Sequence, residues 1–517
     1  MDELAIPETF NVATAYVDAN IAAGRGARPA FYCGERQVTY QEVYEQVNRT
    51  GNALRALGVE IENRVMLLLP DCPEFVFSFF GAIKIGAVPV PVNTLLRPPD
   101  YRYLLNDSRA KVLIVGEAFL PQIEAIRHEL RYLRHLVVVG NAGKDLDYAR
   151  LLAEASPELE AEPTSKDDMA FWLYSSGSTG FPKGAVHLHH DMLYVSDLFG
   201  KEVLQITEDD RTFSAAKLFF AYGLGNNMYV PMRFGASAVL LAERPTPEAV
   251  FATITRYRPT LFFGVPTLYA QLLQVEDAPR RYDLSSLRLC VSAGEALPPE
   301  LFRRWKQRFG LEICDVIGST EALHVFIANR PGRIRVGSSG QVVPGFEAKI
   351  VDEQGREVPV GEEGTLWVRG DSTAPFYWNK HRKTQQTMIG EWLNTGDRFR
   401  RDADGYYWFV GRADDMLKVG GIWVSPIEVE NTLLEHPAVL EAAVVGAQDQ
   451  DQLVKPKAYV VLRQGHLPSP ALEAELKDFV KSKIAPYKYP RWIEFVDALP
   501  KTATGKIQRF KLRQRDS

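Results

Sequence analysis

The chain has 517 residues, room for about three compact units at roughly 150 residues each, so burying a large core is no difficulty. Apolar residues make up 46% and charged residues 24%, an ordinary globular composition that excludes disorder and fibrous repeats. With 60 Lys+Arg against 65 Asp+Glu the formal charge is −5; no general positive field covers the molecule, and no nucleic-acid partner is expected.

Cys33, Cys72, Cys290 and Cys314 lie far apart, with no C-x-x-C and no Cys/His cluster at metal-ligand spacing, so neither a disulfide framework nor structural zinc is expected. Reduced thiols point to a cytoplasmic protein. The first residues are acidic where a signal peptide is basic, and secretion is not expected. The most apolar stretch, 75–92, is broken by Lys84, Gly86, Pro89 and Pro91 and stays short of the about 20 residues that span a bilayer; no membrane span is expected.

Residues 39–58 predict a helix: Thr39 with Glu42 makes a capping box, Val43, Val47, Leu54 and Leu57 share one face, and Gly58 stops it. A buried strand at 65–69, a helix over 73–85, an extended segment at 87–92 and a second buried strand at 111–115 follow. An apolar run at 171–173 predicts a strand that feeds a polar loop. The strand-helix alternation returns at 260–265, 287–292 and 312–317, which makes the fold class α/β, with parallel or mixed sheets covered by helices. Near 342 the pattern changes to short alternating strands, at 348–351, 364–368 and 406–410, a small β-rich subdomain of about 340–412. Strands at 442–446, 457–462 and 492–496 with helices at 426–435 and 470–484 form a separate α+β unit. The expected division is an N-terminal domain of residues 1–412 and a C-terminal domain of 413–517. Within 477–515 eleven Lys/Arg face three Asp/Glu, a local charge of about +8 that suits a solvated basic face or an anionic cofactor.

The densest chemical signal is residues 174–184, Tyr-Ser-Ser-Gly-Ser-Thr-Gly-Phe-Pro-Lys-Gly. Gly177 and Gly180 let backbone N–H groups converge on an anion, Ser175, Ser176, Ser178 and Thr179 add hydroxyl donors, and Lys183 adds charge. Pro182 before the lysine and Gly184 after it depart from the P-loop of ordinary NTPases. Thr320 and Glu321, at the end of an apolar run, are a hydroxyl and a carboxylate of the kind that holds a hard cation such as Mg²⁺, and a helix N-cap with an acidic first turn accounts for the pair about as well. Asp397 carries two acceptor oxygens in a turn.

These segments resemble the signatures of the adenylate-forming superfamily: acyl- and aryl-CoA ligases, luciferases and peptide-synthetase adenylation domains. Residues 174–184 are similar to its phosphate loop and Ile317-Gly318-Ser319-Thr320-Glu321 to its Tyr-Gly-x-Thr-Glu segment. Residues 392–397 are similar to its ribose segment, 411–421 to its hinge and glycine segment, and 500–506 to its C-terminal lysine motif. The resemblance implies ATP, Mg²⁺ and coenzyme A as cosubstrates and a mobile C-terminal domain. It implies that Gly294, Glu295, Ala296, Asp315 and Ile317 flank adenine, Ile317 standing where many members have tyrosine. Asp397 and Arg412 would reach the ribose, Asp414 would be the hinge, and Gly420 and Gly421 would line the pantetheine path. Lys506 would bridge the acid and the α-phosphate, where charge builds during loss of pyrophosphate.

Lys217-Leu-Phe-Phe-Ala-Tyr-Gly223 and Ala322-Leu-His-Val-Phe326 resemble the benzoate-CoA ligase subfamily. That resemblance implies an aryl slot of Ala221, Tyr222, Gly223, His324 and Val325, with Phe220 as an aromatic gate. The expected reaction is formation of aryl-AMP and pyrophosphate, then attack by the CoA thiol. Alternatives are a hydroxybenzoate, aminobenzoate or fatty acid as substrate, or a carrier-protein pantetheine as acceptor. The oligomer, a homodimer included, is left open.

Overall fold

Short, fully buried runs with no polar face, such as Leu261–Gly264 and Leu289–Ser292, fit only in mid-sheet under helices on both sides. That is where they lie. The computed structural model describes residues 5–177, 180–412, 415–419, 422–449, 453–502 and 506–515, and the statements below concern these residues.

The largest sheet has nine strands, in the order Gln341–Val342, Val325–Ala328, Ile313–Gly318, Leu289–Ser292, Leu261–Gly264, Arg211–Ser214, Ser237–Val239, Pro29–Cys33 and Arg36–Thr39. Its middle is parallel and its margins are antiparallel. A second, fully parallel sheet runs Val88–Pro91, Arg64–Leu68, Val112–Gly116, His135–Val139, Leu146–Asp147. The β-rich stretch is antiparallel, built on Glu347–Val351, Glu363–Arg369, Trp392–Arg401 and Tyr407–Arg412. The C-terminal unit pairs Val439–Gln448, Val454–Leu462 and Trp492–Phe495 under helices Pro426–Leu434 and Pro470–Lys483.

Parallel strands leave their carboxyl ends on one edge, where α/β proteins put their ligands. Here Ser214, Gly264, Ser292 and Gly318 end neighbouring strands, with Gly264 opposite Ser292 and Ser292 opposite Asp315. The segments that follow three of those ends, 217–223, 294–296 and 318–325, carry most of the expected site.

Helix Pro73–Lys84 explains the apolar stretch at 75–92: it is a core helix, and its Lys84 ammonium is buried against Asp18 at 2.6 Å and Asn48 at 2.8 Å. No helix among the described residues is long and apolar enough to cross a membrane. The four cysteines are unbridged.

Two local expectations need correction. Helix Tyr40–Ala56 is capped by the Thr39 side chain, which accepts from Glu42 N at 3.2 Å, but the reciprocal half of the capping box is missing because Arg36 takes the Glu42 carboxylate at 2.7 Å. The strand expected at 171–173 continues as Met169–Gly177 and turns back as Gly180–Leu188, so the segment expected to hold phosphate lies on a two-stranded ribbon with Ser175 opposite Lys183 and Gly177 opposite Gly180. Trp172, Leu173, Ala185 and Val186 are buried on both strands, and that apolar base holds the polar residues in register.

The basic tail is largely neutralised within its own unit. Lys477, Lys481, Lys488, Lys501, Arg509 and Arg513 pair with Glu473, Asp478, Glu428, Glu441, Glu430 and Asp415. A solvated, ion-paired face accounts for it.

Candidate active site

The ribbon presents Ser175 and Lys183 side by side. Tyr174 anchors the first strand by donating to Asp107 at 2.8 Å, and Trp378 N donates to Gly184 O at 2.8 Å, laying residues 376–378 along the second. Lys183 lies 4.6 Å from the centre of the Tyr377 ring, a cation over a π face. Burial pushes the Lys183 ammonium below its usual range while the Glu321 carboxylate opposes that shift. Ser178 and Thr179 lie outside the described residues.

Glu321 is held from two sides: Tyr377 donates to its Oε1 at 2.7 Å and Ser175 Oγ at 3.0 Å. The segment that carries it leaves its strand at Gly318, where a Cβ would fall on the His324 carbonyl; only glycine allows the chain to fold back so closely. Leu323 completes the reversal at φ 66°, a left-handed conformation rare for a branched residue. The backbone carbonyl of Thr320 accepts from His187 Nε2 at 2.8 Å.

That reversal places His324 in the interior. It is 3% exposed, and neither ring nitrogen makes a hydrogen bond of normal geometry, the Tyr222 backbone being its polar neighbour. Burial holds it at about 4, so the imidazole is neutral at physiological pH. Its ring stacks on Tyr222 at 6.2 Å between centroids and tilts against Phe199 at 5.2 Å. Gly225 makes room for it: a Cβ there would lie 2.5 Å from Nε2 and 2.8 Å from the Tyr229 hydroxyl.

Ala221, Tyr222 and Gly223 open the short helix Ala221–Leu224. A Cβ at Gly223 would fall on the carbonyl oxygens of Ala216 and Lys217, so a glycine is required by the tight turn. Lys217 fixes the turn's entry by donating to the carbonyls of Leu241 and Glu243, the latter at 2.7 Å, and Leu218 N donates to buried Asp71 at 3.0 Å. Phe220 packs edge-on against Phe219 at 4.6 Å and is half-buried, whereas Phe219 is core. Val325 is 2% exposed and belongs to the same apolar cluster as Tyr222.

Among the residues expected to flank adenine, Asp315 is buried beside the Leu297 backbone, its Oδ1 without a protein partner, and burial pushes its carboxyl well above the usual carboxylate range. Gly294 adopts φ +92°, with Glu295 and Ala296 half-buried after it; Ile317 is half-buried at the end of its strand. Asp397 Oδ1 accepts from Arg412 at 2.9 Å, so the two expected ribose residues already form one ion pair. Burial raises the Asp397 carboxyl, with Arg412 and Lys506 pulling it down.

The C-terminal unit is seated on this edge. Ile507 N donates to Glu295 Oε1 at 3.0 Å, and the Lys506 side chain passes 3.6 Å from where a Gly294 Cβ would be. The structure therefore brings Lys506 to Gly294, Glu295 and Asp397, and Glu321 to Ser175 and Lys183. Asp414, Gly420 and Gly421 lie outside the described residues. Sequence reasoning missed Tyr377, His187 and Asp191. The aromatic pair Tyr377-Trp378 after Pro375 and the run His187-Leu-His-His-Asp191 were the available signals, and neither has a periodicity that points to a site.

Comparison with known proteins bears on the whole chain. Residues 19–378 match the AMP-binding enzyme family and residues 428–506 its C-terminal domain. A benzoate–CoA ligase of Thauera aromatica is 52% identical over 510 residues, 98% of this chain and 96% of that protein. A 4-hydroxybenzoate–CoA/benzoate–CoA ligase of Rhodopseudomonas palustris is 48% identical over 512 residues, 98% and 94%. The crystal structure of an anthranilate CoA ligase in complex with anthranoyl-AMP superposes with a TM-score of 0.96 at 48% identity, covering 100% of this chain and 99% of that one. A benzoate CoA ligase from Burkholderia xenovorans LB400 gives 0.91 at 46%, covering 98% and 100%. Motifs, edge geometry and full-length similarity agree, and the chain belongs to the AMP-binding enzyme family.

Proposed function

We propose that the protein is an ATP-dependent ligase that joins an aromatic acid of the benzoate class to CoA, through aryl-AMP with release of pyrophosphate and then AMP. The observation that carries the reading is His324: a neutral, buried imidazole with unengaged nitrogens, stacked on a flat Tyr222 ring. It stands in a chain about half identical, end to end, to aryl-CoA ligases. A planar acid fits between Tyr222, Gly223 and Val325, with Ala221 and Phe220 at the mouth, and its carboxylate meets one imidazole N–H. Such a bond costs no proton transfer and orients the carboxylate for attack on the α-phosphorus.

Lys506 then bridges carboxylate and α-phosphoryl oxygens, a single mobile cation where charge concentrates. Ser175, Lys183 and the ribbon backbone, with Ser176, Gly177, Ser178, Thr179 and Gly180, hold the β- and γ-phosphates. Asp397 and Arg412 take the ribose, and Gly294, Glu295, Ala296, Asp315 and Ile317 enclose adenine. Thr320 and Glu321 offer an all-oxygen donor set. That donor chemistry suits Mg²⁺, a cation held by one or two carboxylates plus phosphates. Bound there, Mg²⁺ would neutralise phosphate charge. We further place the domain boundary at 412/413, the hinge at Asp414, the pantetheine path along Gly420 and Gly421, and the enzyme in the cytoplasm.

The test is AMP release with CoA across substituted benzoates and medium-chain fatty acids. Ring acids should be preferred; a fatty acid in first place, or AMP release indifferent to CoA, refutes the reading.

A further inference from the structure

The ribbon's return strand, Gly180–Leu188, runs into His187-Leu-His-His-Asp191, residues that the reaction just described does not use. His187 and Asp191 are completely buried. His187 Nε2–H donates to the Thr320 carbonyl at 2.8 Å, and Nδ1 lies 2.8 Å from Asp191 Oδ2, which also accepts from Leu188 N at 3.1 Å. The Phe171 ring stacks on the imidazole at 5.2 Å. An imidazole engaged at both nitrogens and clamped on its face cannot turn.

Its partner across 133 residues is the peptide that precedes Glu321. Glu321 itself is fixed elsewhere too: Ala374 N donates to its carbonyl at 2.7 Å, and Tyr377 and Ser175 hold its carboxylate. His190 Nε2, on the same short run, donates to Asp371 O at 2.9 Å and so steadies the loop that delivers Ala374 and Tyr377. Two contacts thus leave residues 187–191 for the two sides of Glu321.

We propose that His187, oriented by Asp191, is a positioning residue for adenylation: it fixes the Thr320–Glu321 peptide against the phosphate ribbon, so that the Glu321 carboxylate faces the triphosphate. The inference rests on the ligase reading above. Without the imidazole, the Thr320 carbonyl loses its donor and Glu321 is held by Ala374, Tyr377 and Ser175 alone, a looser grip that lets the carboxylate shift.

The test compares His187→Gln with His187→Asn. The Gln amide nitrogen reaches the Nε2 position and keeps the bond to Thr320, while the Asn nitrogen sits at Nδ1 and keeps only Asp191. Pyrophosphate release from ATP and benzoate should fall about tenfold or more in His187→Asn and by no more than about threefold in His187→Gln. Thioester formation from synthetic benzoyl-AMP and CoA should stay within about twofold in both. Calorimetric titration should show weaker binding of Mg-ATP to His187→Asn with AMP binding unchanged. Equal losses in the two variants, or equal losses in the two half-reactions, overturn the proposal. Should His187→Asn fail to fold, Asp191→Asn, which loosens the imidazole without removing it, must show the same split in smaller measure. If the wild type makes no aryl-AMP, the ligase reading falls, and Mg-ATP titration of the variants still decides the role of His187.

Discussion

Replacing Tyr377 by Phe removes one oxygen and leaves the ring. Its hydroxyl donates to Glu321 Oε1 at 2.7 Å, and both burial and that carboxylate push the phenol well above its usual range, so it remains a donor at any physiological pH. A hydrogen bond to a charged group contributes about 1.5–3 kcal/mol, and about 1.4 kcal/mol is tenfold, so adenylation kcat/KM should fall by about 10- to 150-fold. The Lys183 cation over the ring, 4.6 Å from its centre, survives in Tyr377→Phe and is lost in Tyr377→Leu, at a further cost of about 0.5–1 kcal/mol. The assay is pyrophosphate release with ATP and benzoate, beside single turnover of synthetic benzoyl-AMP with CoA. A loss under about threefold in Tyr377→Phe, or equal losses in both half-reactions, would show that Tyr377 does not act by orienting Glu321.

Lys506→Ala should lose about 10²- to 10³-fold in adenylation and keep most thioester formation from supplied aryl-AMP; parallel losses would mean that the lysine only docks the C-terminal unit. Gly223→Ala drives a methyl into the Ala216 and Lys217 carbonyls and should cost about 1–3 kcal/mol in urea unfolding, with KM for the acid raised; wild-type stability and KM would remove the turn from the pocket. Burial holds His324 at about 4 and His189 at about 3, against an unfolded value of about 6.5, so the unfolded chain takes up protons first as the pH falls. The stability these groups contribute is complete above about pH 6.5 and is lost downward through that window, roughly 3 kcal/mol of it from His324. His324→Gln should flatten the pH dependence of the urea midpoint between 4 and 6.5; an unchanged slope would contradict the neutral assignment.

What could be read in advance was local. Buried strands such as Leu261–Gly264 and Ile313–Gly318 announce themselves as apolar runs, and helix Tyr40–Ala56 by its periodicity and Thr39 cap. The return strand Gly180–Leu188 was hidden because Gly, Pro and Lys at its start suggest a loop, and the pairing that overrides them comes from Ala185 and Val186 packed below. Tyr377 and His187 were invisible for another reason. Each acts on a partner more than 50 residues away, through one hydrogen bond that leaves no mark on composition or spacing. The Glu42 carboxylate shows the converse: a legible capping pattern yields to Arg36, which the β-hairpin places within reach.

The buried atoms without protein hydrogen-bond partners include both nitrogens of His324, the Tyr229 hydroxyl, both side-chain polar atoms of Asn226, Ser292 Oγ and Asp315 Oδ1. Such groups weaken a fold, each by about 1–3 kcal/mol, and chains shed them readily when nothing else depends on them. Several of them lie on His324 and its neighbour Tyr229 or on the paired residues Ser292 and Asp315, so in the proposed reading stability and selectivity pull against each other there. A thermostabilisation campaign guided by melting temperature alone would replace such residues early, His324→Leu among them. Where His324 meets the carboxylate as proposed, the hardened protein would bind its acid less selectively.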